Sequence, residues 1–383
     1  MIEPEGRPRP VQLWLGRLAW GLVLALIAAA LLAYYFGGVT PAFISGALRN
    51  RLAGPRTPAD VTAPPGVTVS VWAEGLGNPT SLAFDRDGTL YVATLGGEIL
   101  ALRDENGDGR ITGDEQRSYG SGLTSPLGLA WVNGDLYVGH RGGVTRLRDT
   151  DNNGHADEFR QLIEGLPALR HQTNGLVLGP DGLLYIGQGS TSDRGETARQ
   201  DREATILVAN PDGSGLRVFA TGTRNPYDLA FYPGTSELFA IDNGRDVPAS
   251  GVPDELNFIL ADGDYGWPDC WGQKGGRNCD GTQPPVALLP EHSAAGGMFF
   301  YTGGVFGEWQ NDIFVTLYGA NSGDPDIGRS VMRIHVSRTD TGWTGEVHPF
   351  AAGFDRPLDI AGGLDGAIYV ADYAAGIIYR FSR

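Results

Sequence analysis

Three groups of residues with no evident duty in folding follow one another beyond the middle of the chain. Arg224-Asn225-Pro226 opens a strand-like stretch. Asp242-Asn243-Gly244-Arg245-Asp246 closes the next one, and Tyr265-Gly266-Trp267-Pro268 begins an irregular segment. Asp254, Glu255 and Asn257 stand between the last two groups, just ahead of the apolar Phe258–Leu260. A strand-turn-strand unit folds without this chemistry, and loops on a rigid scaffold are where binding groups collect. Upstream, His171 lies in Arg170-His171-Gln172-Thr173-Asn174, immediately before another apolar strand. An imidazole titrates near working pH and suits general-base work. The plainer readings are a surface-loop histidine, strand-edge ion pairs for Arg224 and Arg356, and an ordinary turn at Gly244.

Two further stretches have the spacing of calcium loops. Asp104–Glu115 reads DENGDGRITGDE. Oxygen side chains fall at its positions 1, 3 and 5 (Asp104, Asn106, Asp108), with Gly109 at 6, the Arg110 carbonyl at 7, Thr112 at 9 and Glu115 at 12, where a bidentate carboxylate belongs. Asp149–Asp157, DTDNNGHAD, repeats the first half with Asp149, Asp151, Asn153, Gly154 and Asp157, but Arg160 occupies its position 12. Calcium in either loop would be structural. The alternative is a solvated Asp/Asn/Gly hairpin turn. The two cysteines, Cys270 and Cys279, both fall in the irregular segment. Outside the cytoplasm they are expected as a disulfide, contributing about 2–3 kcal/mol by loop closure. A metal held by this pair lacks two further ligands.

The Arg-Asn-Pro, the Asp-Glu-Leu-Asn of Asp254–Asn257 and the Tyr-Gly-Trp-Pro, in this order, resemble the soluble glucose/sorbosone dehydrogenase family, whose members use pyrroloquinoline quinone. The likeness extends more weakly from about Gly66 to Arg383. It implies a sugar or related alcohol as substrate, oxidised by loss of a proton and a hydride. By the same resemblance His171, followed by Gln172, Leu176, Val177, Gly179, Pro180 and Asp181, is the base. Arg224 and Asn225 contact the quinone, Arg356 (with Asp359) is a second cofactor arginine, and the carbonyls of Gly244 and Arg245 hold a catalytic calcium. The family's glucose enzymes differ at three places: Ser190 replaces the aspartate that supports the base, Leu358 replaces an arginine, and a cofactor lysine has no counterpart, Lys274 lying in the cysteine loop. The cysteine loop and Pro290, His292, Ser293 and Ala294 are similar to the sorbosone-dehydrogenase-like branch; His292 takes no assigned role. With Ser190 in place of a carboxylate, the imidazole is expected to titrate near its ordinary value of about 6.5. No GxGxxG or P-loop stands in a strand–helix context, which disfavours a nucleotide cofactor. Two other readings stay open. One is a calcium-dependent hydrolase such as a lactonase on a similar scaffold, and the other is a binding propeller without catalysis.

The elements that must carry these residues are visible as a repeat. Its copies are Asn78–Gly97, Ser125–Gly143, Thr173–Gly189, Asn225–Asn243, a degenerate one over about Gly297–Tyr318, and Arg356–Gly376. Each is an apolar strand, a Gly-bearing turn and a second alternating strand. Six copies spaced by about 53 residues make an all-β, six-bladed propeller, each blade of four strands. Val67–Trp72 precedes the first copy and is free to complete the last blade. Residues 66–383 are therefore read as one propeller domain.

Ahead of it, Leu18–Val39 holds no charged residue and is long enough to span a bilayer. Arg7, Arg9 and Arg17 place residues 1–17 in the cytoplasm, so 18–39 is expected to be a transmembrane anchor with the propeller outside. A cleaved signal peptide would have a shorter apolar core. Residues 40–65, with Pro41, Pro55, Pro58, Pro64 and Pro65, form a stiff linker. The chain's net charge is −16. Six arginines against Glu3, Glu5 and Asp60 leave residues 1–65 at +3, so the remainder carries −19. So acidic a domain repels a phosphate backbone, which excludes nucleic acid as a partner and suits calcium. The electron acceptor is not legible.

Overall fold

The computed structural model describes residues 60–383 except 198, 247–250, 274, 278, 320–326 and 341. The expected anchor at 18–39, its cytoplasmic flank and most of the linker lie outside the described residues. Among the described residues no helix is long and apolar enough to cross a membrane.

Six four-stranded antiparallel sheets form the blades of a propeller. Blade 1 runs outward through Pro79–Phe84, Leu90–Thr94, Ile99–Leu102 and Gln116–Gly120, and blade 2 through Gly128–Val132, Asp135–His140, Gly143–Arg148 and Glu158–Ile163. Blade 3 holds Thr173–Leu178, Leu184–Gln188, Thr205–Ala209 and Arg217–Thr221, and blade 4 Pro226–Phe231, Leu238–Asp242, Pro253–Ile259 and Ala287–Glu291. Blade 5 comprises Ala295–Phe300, Ile313–Leu317, Ser330–Thr339 and Gly342–Ala352. Blade 6 has Pro357–Gly362, Ile368–Asp372 and Ile377–Ser382, and its outermost strand is Thr68–Ala73 from the other end of the chain. That strand pairs antiparallel with Ile377–Ser382, from Thr68 opposite Ser382 to Ala73 opposite Ile378. The ring is thus closed as expected, one residue later than the sequence placed it. The fifth blade begins at Ala295, two residues before the degenerate repeat was placed.

The repeat's turn chemistry explains the first hairpins. Asp85, Asp181 and Asp365 each accept the amide two residues on. A positive-φ glycine follows in each turn: Gly88, Gly182 and Gly366. Such turns pin the register. The second strands, LYVAT, LYIGQ, LFAID, IFVTL and IYVAD among them, are buried along their whole length. They are covered on both faces by neighbouring blades, which is why they read as nearly continuous apolar runs. The apolar clusters lie between blades, as where Phe239 and Ile241 of blade 4 meet Met298, Ile313 and Val315 of blade 5.

Two carboxylates staple the innermost strands. Asp228 of blade 4 accepts the Met298 amide of blade 5 at 2.8 Å, and Asp359 of blade 6 accepts the Leu82 amide of blade 1 at 2.6 Å. Burial raises both, Asp359 to about 7, and their mutual repulsion drives Asp228 up further. Gly297 gives Asp359 its room, because a Cβ there would overlap the carboxylate. Gly297→Ala should therefore destabilise the domain by about 2–3 kcal/mol through overpacking at a buried charge. Denaturant unfolding measures this, and an unchanged midpoint would contradict the stapling role.

Chain direction sorts the loops onto two faces. The connections that lead into the innermost strands, and those between second and third strands, share one end of the central channel. His171, Asp193, Arg224, Gly244, Gly319 and Arg356 all belong to these connections. The loops joining third to fourth strands lie at the opposite end, and these include both calcium-like stretches, Asp104–Glu115 and Asp149–Asp157. A cavity of about 570 Å³ also opens at that opposite end, lined by Phe84, Asp228, Phe299, Asp359 and Leu364 among others.

Candidate active site

Ser190, two residues past the second strand of blade 3, anchors the site. Its carbonyl accepts the His171 amide at 3.1 Å, and its own amide donates to the Arg224 carbonyl at 2.8 Å. The histidine and the arginine are thereby tied to one residue. His171 Nδ1 stands 3.1 Å from both the carbonyl and the hydroxyl of Ser190. The hydroxyl proton goes to the Ser192 carbonyl, 2.7 Å away. Both oxygens can therefore only accept from the ring, so Nδ1 carries the proton and Nε2 keeps the lone pair. A serine, where the resemblance led to the expectation of a lost carboxylate, thus orients the ring. The glycine before it is required, since a side chain at Gly189 would run into His171 and Asn225. The imidazole does not keep its ordinary pKa. Burial, then the charges of Arg224 and Arg170, hold it well below 6.5. The sequence showed neither the burial nor the approach of Arg224.

Arg224 is 4% exposed. Asp242, at the end of the second strand of blade 4, accepts the amides of Arg224 and Asn225 at 2.9 and 2.6 Å and fixes their backbone. Asp372 of blade 6 does the same for Asp355 and Arg356, both at 2.7 Å. The two arginines are thus presented by the same device, although Arg356 occupies the position of Asn225 in its blade. The Arg224 guanidinium reaches Asp193 Oδ1 at 2.8 Å, the Asn243 carbonyl at 3.2 Å and Asp246 at 3.4 Å. Its Nε is buried without a hydrogen-bond partner among the described residues. Asp246 also pairs with Arg170, the neighbour of His171. Burial alone would raise Asp193, but Arg224 overrides it and the carboxyl is lowered. Asn225 accepts from Asn174 at 2.8 Å. Arg356 donates to the Gly319 carbonyl at 2.9 Å and lies over the Tyr318 ring at 5.0 Å, with Tyr373 beside it.

The segment after blade 4's third strand does not stay at its own end. Asp262–Trp267 climbs the outer edge of blade 3, with Asp264 bridging Thr221 and Trp267 bonding to Gly222. It delivers Trp267 to the site face, where the indole donates to the Asp193 carbonyl at 3.1 Å. Arg245 bonds the Pro268 carbonyl at 3.2 Å and stacks 4.2 Å over Trp271. The Cys270–Cys279 disulfide closes this loop. Gly244 donates to Asp254, whose other oxygen holds Ser293 and Ala295 of blade 5. Behind Arg224 a cavity of about 20 Å³ is lined by Asp242, Glu255, Gly244, Tyr265 and Trp267. Burial, then Glu255, pushes Asp242 up to about 7. The nearby Asn257 Oδ1 is buried without a partner among the described residues. This acidic hole has room for one water-sized occupant.

The calcium-like loops belong to a separate region. Asp149, Asp151 and Asp157 bring carboxylate oxygens within 4.8 Å of one another. In the first loop Asp104 accepts the Gly107 and Gly109 amides. Glu115 turns onto the amides of Thr112, Asn106 and Glu105, which hold its carboxyl below the ordinary range. As it stands, Glu115 staples its own loop. Leu358, where an arginine stands in the resembled glucose enzymes, is buried in the innermost strand of blade 6, and Lys274 lies outside the described residues. The sequence reading missed Asp193 altogether. It sits in an unpatterned Ser-Thr-Ser-Asp-Arg stretch, and only its three-dimensional partners single it out.

The channel mouth thus gathers an oriented histidine, two arginines and a disulfide-tied aromatic loop. The chain belongs to the Glucose / Sorbosone dehydrogenase family, whose family model matches residues 130–380. It is 27% identical over 370 residues to the aldose sugar dehydrogenase YliI of Escherichia coli, covering 84% of this chain and 94% of that protein. An oxidoreductase of Thermus thermophilus, assigned as a glucose dehydrogenase, is 27% identical with a TM-score of 0.65, covering 82% of this chain and all of that one. The PQQ-bound aldose sugar dehydrogenase of Streptomyces coelicolor shares the fold, with TM-score 0.65 at 22% identity over 84% of this chain and 99% of that one.

Proposed function

We propose that the protein oxidises an aldose, sorbosone-like sugar or related alcohol with bound pyrroloquinoline quinone, and that His171 is the general base. The observation that carries this reading is the ring geometry at Ser190. It leaves Nε2 as the basic atom beside a buried arginine. The residues present suit a flat polyanion. Arg224 has a buried donor with no partner among the described residues, Arg356 lies against Tyr318, and Asn225 is held by Asn174. The quinone, when bound, supplies the carbonyl that accepts hydride. His171 takes the hydroxyl proton at Nε2, and Nδ1 stays bound to Ser190, so the imidazolium that forms keeps its orientation. Arg224 and Arg170 keep the ring neutral beforehand, and Arg224 holds positive charge where anionic character grows. The carbonyls of Gly244 and Arg245 are the proposed calcium ligands near the cofactor. The test is to add the quinone and calcium to the purified full chain and follow dye reduction with a panel of aldoses. Dye reduction that needs both quinone and sugar is expected; lactone hydrolysis instead would favour the hydrolase reading.

The chain is proposed to be anchored through residues 18–39 with the propeller outside the cytoplasm. The loops of Asp104–Glu115 and Asp149–Asp157 are proposed structural calcium sites, and the convergence of Asp149, Asp151 and Asp157 supports the second more than the first. A chelator should lower the melting temperature, because an ion bound only by the folded state stabilises it by mass action. Asp149→Ala should remove much of that sensitivity. A melting curve indifferent to chelator and substitution alike would refute the structural site.

A further inference from the structure

We infer that Asp193 is the positioning residue for Arg224, setting where the guanidinium stands and withholding part of its charge from an anionic ligand. The inference rests on the quinone reading for its kinetic consequence only; the placement itself concerns the free protein.

Asp193 and Arg224 are 5% and 4% exposed and meet at 2.8 Å. In so enclosed a place a charge-assisted hydrogen bond is short, directional and little screened. The second acid, Asp246, is a weaker holder. Its side chain is 55% exposed, it stands 3.4 Å away, and it is shared with Arg170. Asp193 itself is fixed from two sides. Its Oδ1 accepts the Asp246 amide at 2.8 Å, and its carbonyl accepts the Trp267 indole at 3.1 Å. The long segment that climbs blade 3 is therefore coupled to the arginine through Asp193, which gives the Tyr-Gly-Trp-Pro sequence a duty at the site. The arrangement fixes the guanidinium but also neutralises it. Removing the carboxylate charge should leave Arg224 more attractive to an anion and less well placed, so binding and turnover should move in opposite directions. A residue that only holds the fold together would weaken both.

Three proteins test this, the wild type, Asp193→Asn and Asp193→Glu, with Arg224→Lys used to assign the arginine resonance. In the quinone-free full chain, the Arg224 side-chain N–H signals should be sharp and slowly exchanging in the wild type, broadened in Asp193→Asn and restored in Asp193→Glu. With quinone and calcium added, Asp193→Asn should bind quinone at least as tightly as the wild type, while kcat falls about 10–100-fold, the scale of a misplacement of about 1 Å. Asp193→Glu should recover most of the turnover. Unchanged arginine signals in Asp193→Asn, or parallel losses of quinone affinity and kcat, would overturn the assignment. Wild-type chain that shows the locked arginine but binds no quinone would instead remove the quinone reading and leave the positioning role standing.

Discussion

His171→Ala should lower kcat of the quinone-loaded protein by about 10²–10⁴-fold, the contribution typical of a positioned general base. Folding and the response to calcium should not change, because among the described residues the ring's hydrogen bonds run to Ser190, which the Arg224 carbonyl and Ser192 still hold. The pH dependence carries the sign of the shift. Burial, Arg224 and Arg170 lower the folded-state value below 6.5, so the neutral base persists as pH falls past 6.5 and the acidic limb of activity lies beneath it. Steady-state kinetics over about pH 4–9 checks both points. Equal turnover in the two proteins, or a wild-type limb centred at or above 6.5, would remove His171 from the base role.

Arg224→Ala should have the largest combined effect, and it should not be a clean loss of a ligand contact. Removing the guanidinium leaves Asp193 at 5% exposure without its cation and leaves the Asn243 carbonyl without its donor. Breaking a buried pair from one side costs about 3–5 kcal/mol. Losing a charge-assisted contact to the quinone should weaken its binding by about 10–100-fold as well. The double variant Arg224→Ala/Asp193→Ala should regain much of the stability but none of the quinone affinity. Chemical denaturation and quinone titration on the wild type and the two variants separate the two effects. If the single and double variants were equally unstable, the pair would not be the source of the loss.

The scaffold was legible because its physics is local and repeated. Six Gly-bearing turns between apolar strands announce six hairpins, and Val67–Trp72 had no partner except the last blade. His171 and Arg224 stand out in the sequence because their neighbours Gln172, Asn225 and Pro226 are themselves distinctive, and the structure brings both to one end of the channel. What escaped the sequence was long-range. Asp193 meets Arg224 only because two different loops reach the same end of the channel. The lowered pKa of His171 comes first from burial and then from the charge of Arg224, which lies near it only in space. Which of the two calcium-like loops brings its carboxylates together was also hidden. The first has the better spacing, but Glu115 bonds its own backbone, whereas the shorter second loop gathers its carboxylates. Ser190 is the instructive position: read as the loss of a carboxylate, it supplies two acceptors to the same ring nitrogen.

Sugar oxidation by a bound quinone with His171 as base is tested most directly by a single turnover without dye. The full chain is loaded with quinone and calcium, mixed rapidly with excess aldose, and followed by the absorption of the oxidised quinone. The wild type should lose that absorption in proportion to one quinone per chain, and His171→Ala should do so about 10²–10⁴-fold more slowly. An absorption spectrum that no aldose changes, or one that changes at the same rate in both proteins, would contradict it.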